Sequence, residues 1–112
     1  MSRRTSKVEE LLREEMARLI QTELPEKFGI ITVTRTMVAP DLRTAKVFIT
    51  AILDNYEKDI LIELKNKTNN FQKVVGKKLE LRNTPKLSFE FDRARHEIDR
   101  VEELLEEINR GT

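Results

Sequence analysis

The sequence predicts an α+β fold, with helices laid on one face of a small, mainly antiparallel sheet. Three observations predict it. Apolar residues recur at helical spacing near the N-terminus and again through the middle of the chain. Between those stretches lies "GIITVTRTMVAPDLRTAKVFITAIL", rich in β-branched residues that suit a pleated, half-buried surface. After the second helical stretch, "KLSFEF" alternates with period two. The expected order is therefore helix, strand, strand, interrupted helix, strand, helix.

Taken in order, residues 6–24 read as an amphipathic helix. Val8, Leu11, Leu12, Met16, Leu19 and Ile20 share one face. Ser6 followed by Glu9 fits a capping box, and Pro25 stops the helix. Two antiparallel strands follow, at about 30–38 and 43–53. "APDL" turns the chain between them, with Pro40 presetting a backbone angle and Asp41 able to bond neighbouring amides. On the second strand Val47, Ile49 and Ala51 alternate with Lys46, Phe48 and Thr50. Residues 54–81 return to helical periodicity through Ile60, Leu61, Leu64, Phe71, Val74, Val75 and Leu79, with Asp54 or Asn55 as the cap. The pattern lapses over 65–70, where Asn69 and Asn70 stand. Asparagine tolerates left-handed geometry, so a kink is expected there, against the plainer reading of two asparagines on an exposed, continuous helix. In the short strand Leu87, Phe89 and Phe91 point one way and Ser88 and Glu90 the other, with Pro85 at its start, where a missing amide costs least. A last helix at about 95–109 carries Ile98, Val101, Leu104, Leu105 and Ile108 on one stripe. We divide the chain at 1–92 and 93–112. The second part is expected to be a helix, packed on the first or loosely attached.

Length and composition exclude several classes. The 112 residues suit one domain with a thin core. Charged residues make up 37%, which fits a soluble, heavily solvated surface, and no apolar run nears the roughly 20 residues of a membrane span. The N-terminus lacks the apolar segment of a signal peptide, which points to the cytoplasm. There are no cysteines, so disulfides, thiolate zinc sites and a cysteine nucleophile are excluded. His96, the single histidine, sits beside Glu97 and Asp99 as a surface residue would. Glu102, Glu103, Glu106 and Glu107 are spaced as a solvated helix face, and Gly76 stands alone rather than in a phosphate loop. We expect no cofactor, metal, small-molecule substrate or membrane partner. The five phenylalanines (Phe28, Phe48, Phe71, Phe89, Phe91) fit a core better than a base-stacking platform.

Charge is segregated behind a net value of +1. Residues 65–86 hold Lys65, Lys67, Lys73, Lys77, Lys78, Arg82 and Lys86 against a single acid, Glu80. Residues 87–112 carry eight acids and four bases. A charge run is most often a solvated face. Here acids are too few for i,i+4 pairing to explain the lysines. A helix restarting beside them would also offer free amides and a positive dipole end to phosphate. The segment therefore points to nucleic acid, with Asn69 and Asn70 shaping it. Arg43 and Lys46 extend the basic surface more weakly. Arg3, Arg4 and Lys7 make either a loose terminus or a flexible basic arm.

"APDLRTAKVFITAI", "GKKLELRNTPKLSFEFD" and "IDRVEELLEEI" together resemble the ribosome-binding factor A family, and the likeness runs over nearly the whole chain. The resemblance implies a type II KH-like fold, written α-β-β-α-kink-α-β plus a C-terminal helix, with helices on one face of a three-stranded sheet. It implies a non-enzymatic, cytoplasmic bacterial protein, needed most in the cold, that binds the small (30S) ribosomal subunit. Such proteins act late in its assembly and promote 16S rRNA maturation. The family builds its kink on an Ala-x-Gly pattern, which by spacing to Gly76 falls here on Lys67 and Asn69, so neither family residue is present. The expected state off the ribosome is a monomer. Two other classes compete. One is a protein-interaction module, using the acidic last helix or apolar surface on the first, whose lysines only solubilise. The other is a small hydrolase or nuclease, for which no activated site is visible.

Overall fold

The fold is taken from a computed structural model in which residues 3–93 and Leu105 are described. The elements are α1 (Arg3–Glu23), a 3-10 turn (Glu26–Phe28), β1 (Ile31–Val38), β2 (Thr44–Ala51), a second 3-10 turn (Asp54–Tyr56), α2 (Glu57–Lys78) and β3 (Lys86–Phe91). The last helix expected at 95–109 lies outside the described residues, except that Leu105 is helical and exposed.

The three strands form one sheet in the order β1-β2-β3. β1 and β2 pair antiparallel across the expected turn. There Leu42 N–H donates to Ala39 O at 2.8 Å and Arg43 N–H donates to Asp41 Oδ1 at 3.0 Å. β3 pairs parallel to β2, so the sheet is mixed rather than mainly antiparallel. The cause is α2. It carries the chain back along the sheet, and a strand reached by such a crossover must run in the direction of its neighbour. α1 lies chiefly over β1 and α2 over β3, on one face.

The core is what alternation and helical spacing specify. α1 contributes Leu12, Met16, Leu19 and Ile20; the strands contribute Val33, Val38, Val47, Ile49, Leu87 and Phe91; α2 contributes Ile60, Leu64, Phe71 and Val75. Leu11, expected on the same face of α1, is 39% exposed at its edge.

Several local expectations are corrected. α1 is already helical at Arg3, so Ser6 lies inside the helix and cannot cap it. The expected arm is helical backbone from Arg3 onward, and Thr5 is buried. Glu9 is freed from the capping box and works across the fold. Its Oε2 accepts from Val38 N–H at 2.9 Å, and its backbone oxygen accepts from Thr36 Oγ1 at 2.6 Å. Tyr56, not Asp54 or Asn55, holds the N-cap position of α2, with no side-chain cap. Glu57 and Asp59 still place negative charge in the first turn, where the dipole favours it.

The largest correction concerns Asn69 and Asn70. α2 is one uninterrupted helix through both of them. Its buried stripe runs from Ile60 and Leu64 to Phe71 and Val75 without changing face. The turn between is covered by half-buried Lys67 and Thr68. The apolar pattern lapses because these two inward positions are polar, not because the helix stops. Thr68 Oγ1 donates back to Leu64 O at 2.8 Å, which satisfies the hydroxyl within the helix. The two asparagines are exposed on its outer side.

Candidate nucleic-acid interface

Helical geometry sorts the basic segment into groups. Lys65, Asn69, Lys73 and Lys77 are each four residues apart on α2, so they form one exposed row, which starts beside β3, where Lys65 shares a hollow with Leu87 and Phe89. Asn66 and Asn70 flank that row and are also exposed. No described acid forms an ion pair with these lysines. The lysines therefore present their charge to solvent, backed by amides that can donate and accept. Lys67 is not in the row; it is half-buried at the border of the core.

The second group gathers where three connections meet. α2 ends in a Schellman motif: Leu81 N–H donates to Gly76 O at 3.1 Å and Glu80 N–H to Lys77 O at 3.4 Å. The left-handed residue this motif requires is Glu80, at φ 53°. The loop then folds back so closely that a Cβ on Gly76 would collide with Thr84 Oγ1. This sets Lys78 and Arg82 at one end of the domain, beside the β1–β2 turn. Leu42, Glu80 and Arg82 line a shared hollow there. Lys86 begins β3, and its N–H donates to Arg43 O at 2.9 Å, which ties both residues to that end. Lys77, in the last turn of α2, joins the row to this cluster.

Two parts of the expected site change meaning. Since α2 does not restart at Asn70, there is no helix N-terminus among the lysines and no free amides for phosphate at that point. The end of α2 near Lys77 and Lys78 is the negative end of its dipole, so any attraction for phosphate there comes from side chains alone. Lys46 also stands apart. Its neighbours Ala45 and Val47 are buried under the helices, so Lys46 projects from the other face of the sheet.

That other face holds a constellation that no local sequence pattern signals. Phe48 is buried yet stands outside the hydrophobic core, under the Arg35 guanidinium, whose carbon lies 4.0 Å from the ring centroid. It is therefore buried as expected but apart from the main cluster, to which Phe28, Phe71 and Phe91 belong. Arg35 Nε lies 3.4 Å from Asp92 Oδ2, which also accepts from Thr34 Oγ1 at 2.7 Å. The register between β1 and β2 shifts at Val33/Arg35, and this bulge turns Thr34 and Arg35 toward the same carboxylate. Nothing in the alternation of β1 announces a bulge, and Asp92 is far away in sequence.

Among the described residues there is no cluster of three metal-ligating side chains, and no described helix is long and apolar enough to cross a membrane. His96 and the four glutamates at 102–107 lie outside the described residues.

The chain is similar to known proteins over nearly its whole length. Residues 4–105 match the family model described as ribosome-binding factor A. A ribosome-binding factor A from Chlorobaculum parvum is 35% identical over 114 residues, spanning 99% of this chain and 95% of that protein. The crystal structure of ribosome-binding factor A from Thermus thermophilus superposes with a TM-score of 0.72 over 80% of this chain and 97% of that one, at 20% identity. A second Thermus thermophilus structure, a homology model of ribosome-binding factor A fitted into the cryo-EM map of a 30S complex, gives 0.66 at 19% identity, over 84% of this chain and 97% of that one. The match across the α1-to-β3 core and beyond it makes this chain a member of the ribosome-binding factor A family.

Proposed function

We propose that the protein binds the small ribosomal subunit through its 16S rRNA as a late assembly factor and thereby promotes processing of that RNA. The observation that carries this reading is the row Lys65, Lys73 and Lys77, continued at one end of the domain by Lys78, Arg82 and Arg43, with no described acid paired to it, while Lys86 stands at the same end on the other face of the sheet. A rigid row of cations suits a phosphate backbone, and such cations position the protein without reading sequence. The relative fitted into a 30S complex supports the choice of partner. The protein acts by occupying and biasing rRNA rather than by breaking bonds. It works in the cytoplasm, as a monomer when off the ribosome, and is needed most when cold stabilises misfolded rRNA. Residues 1–92 form the binding domain. Asn69 and Asn70 contribute as exposed amides beside the lysines, not as a hinge.

The test is co-sedimentation of the protein with mature and immature small subunits across a salt series. Binding should fall steeply with salt, and Lys77→Glu with Lys78→Glu should weaken it at least about tenfold while the thermal melt stays near that of the wild type. Salt-independent binding, or binding unchanged in the double variant, would favour the protein-interaction reading.

A further inference from the structure

The constellation around Arg35 takes no part in the lysine row and lies on the opposite face of the sheet. Its geometry is that of a held guanidinium. One plane of Arg35 rests on Phe48, with the carbon 4.0 Å from the ring centroid. One edge is fixed by the Asp92 carboxylate at 3.4 Å from Nε, and that carboxylate is itself fixed by the Thr34 hydroxyl. Asp92 is 8% exposed, so its side chain is held in place by its surroundings as well as by Thr34. Yet the Arg35 side chain remains 56% exposed. A guanidinium needed only to neutralise a buried carboxylate would gain by covering both planes. Here the guanidinium is backed by an aromatic ring while more than half of the side chain stays open to solvent.

We infer that Arg35 is a shelf on which an unpaired nucleobase of the bound RNA stacks. The inference rests on the rRNA-binding reading and adds to it a second contact, with bases, on the sheet face. Bases stack on arginine planes as they do on aromatic rings, and the ring beneath removes most of the entropy cost of holding this one flat. Its surroundings suit a nucleotide. Met37, 49% exposed, lies with its sulfur 3.9 Å from Arg35 Nη1 and offers a soft apolar edge. Lys46 pairs with Met37 across the strands, and Lys86 follows on β3, so phosphates flanking a stacked base would run toward cations. Glu90, opposite Phe48 on β3, adds a negative charge to this face and sets the side that phosphates avoid.

The test uses the full chain and two fluorescent probes, a short oligoadenylate and an abasic ribose-phosphate chain of the same length. The wild type should prefer the oligoadenylate about tenfold. Arg35→Lys keeps the charge but not the plane, and should lose most of that preference while binding the abasic chain as before. Phe48→Leu, which leaves Arg35 present but unsupported, should lose part of it, which guards against one variant failing to fold. Lys46→Ala should weaken both probes alike. No preference in the wild type, or a preference retained in Arg35→Lys, overturns the shelf. If that happens while Lys77→Glu with Lys78→Glu still loses the small subunit, the rRNA reading stands without the shelf. If the wild type binds neither probe nor the subunit, both fall.

Discussion

α1 and α2 are nearly equal in length, lie on the same face of the same sheet and bury similar apolar stripes. They differ in what they do with charge. α1 uses it internally: Glu9 holds β1, Glu15 bonds Arg18, and Glu10 reaches Arg13 at 3.8 Å. The Glu15 bond, and after it the Glu15 charge, raises the Arg18 pKa above its ordinary value. α2 uses one charge this way, Glu57 accepting from Arg93 Nη1 at 2.9 Å, and is otherwise held by fit, through its buried stripe and the close meeting of Gly76 with Thr84. Among the described residues its side-chain bond to the sheet is made by a neutral amide, Gln72 Oε1, accepting from Leu87 N–H at 2.9 Å. Among the described residues its outer lysines pair with no acid. The difference separates charge that builds the fold from charge held in reserve for a partner, and that separation can be broken by experiment.

The largest effect on stability should come from α1. Glu9→Ala removes the acceptor for a buried strand amide and should cost about 1–3 kcal/mol in chemical denaturation. Glu9→Gln keeps an acceptor oxygen and should cost less. Neither should change affinity for small subunits once folded. A Glu9→Ala protein that is fully stable but binds poorly would invert the comparison.

α2 should answer in the opposite sense. Lys65→Ala with Lys73→Ala should leave the denaturation midpoint within about 0.5 kcal/mol of wild type, as surface changes usually do. The same variant should flatten the slope of log affinity against log salt by roughly 2, close to one for each phosphate no longer neutralised. A stability loss with an unchanged slope would make the row a structural feature.

The close fit at the end of α2 gives a smaller effect whose sign can be switched. Gly76→Ala gains about 1 kcal/mol of helix propensity but drives a methyl into Thr84, an overpacking cost of about 1–3 kcal/mol. The net change should be a loss of about 1 kcal/mol in thermal or denaturant unfolding. With Thr84→Ala already in place, the same Gly76→Ala change should become neutral or stabilising. A loss of equal size in both backgrounds would show that the clash is with something other than the Thr84 side chain.

How much of this was legible depends on range. The strands, their turn and the core faces follow from period and turn chemistry, and Val47, Ile49, Leu87 and Phe91 are buried as alternation requires. The concentration of lysines was equally plain. Continuity of α2 was not, because Lys67 and Thr68 on its inner side look, in one dimension, like the end of a helix. Whether a polar pair can be half-buried under a sheet depends on neighbours the local sequence does not name. Glu9 shows the same limit: Ser6 and Glu9 carry a cap signature, yet the carboxylate finds Val38, distant in sequence. The Arg35 constellation combines a bulge, a strand pairing and Asp92 from past the end of β3, and no local pattern carries any of the three.

The smallest effect expected is a gain, and it joins the two halves of the comparison. Glu80 is the single acid among the basic residues of 65–86, and it occupies the left-handed position of the α2 cap at φ 53°. That geometry costs a non-glycine residue roughly 1–2 kcal/mol. Glycine instead loses about 0.5–1 kcal/mol in chain entropy on folding. Glu80→Gly should therefore raise stability by about 0.5–1 kcal/mol while removing a negative charge beside Lys77, Lys78 and Arg82. Affinity for small subunits should rise at low salt and the gain should fade as salt increases. Replacing Glu80 with Gln separates the two parts, since glutamine removes the charge but keeps the strained backbone. If Glu80→Gln matches Glu80→Gly in binding but not in stability, then the backbone geometry belongs to the fold and the charge to the interface, as the two helices already divide them.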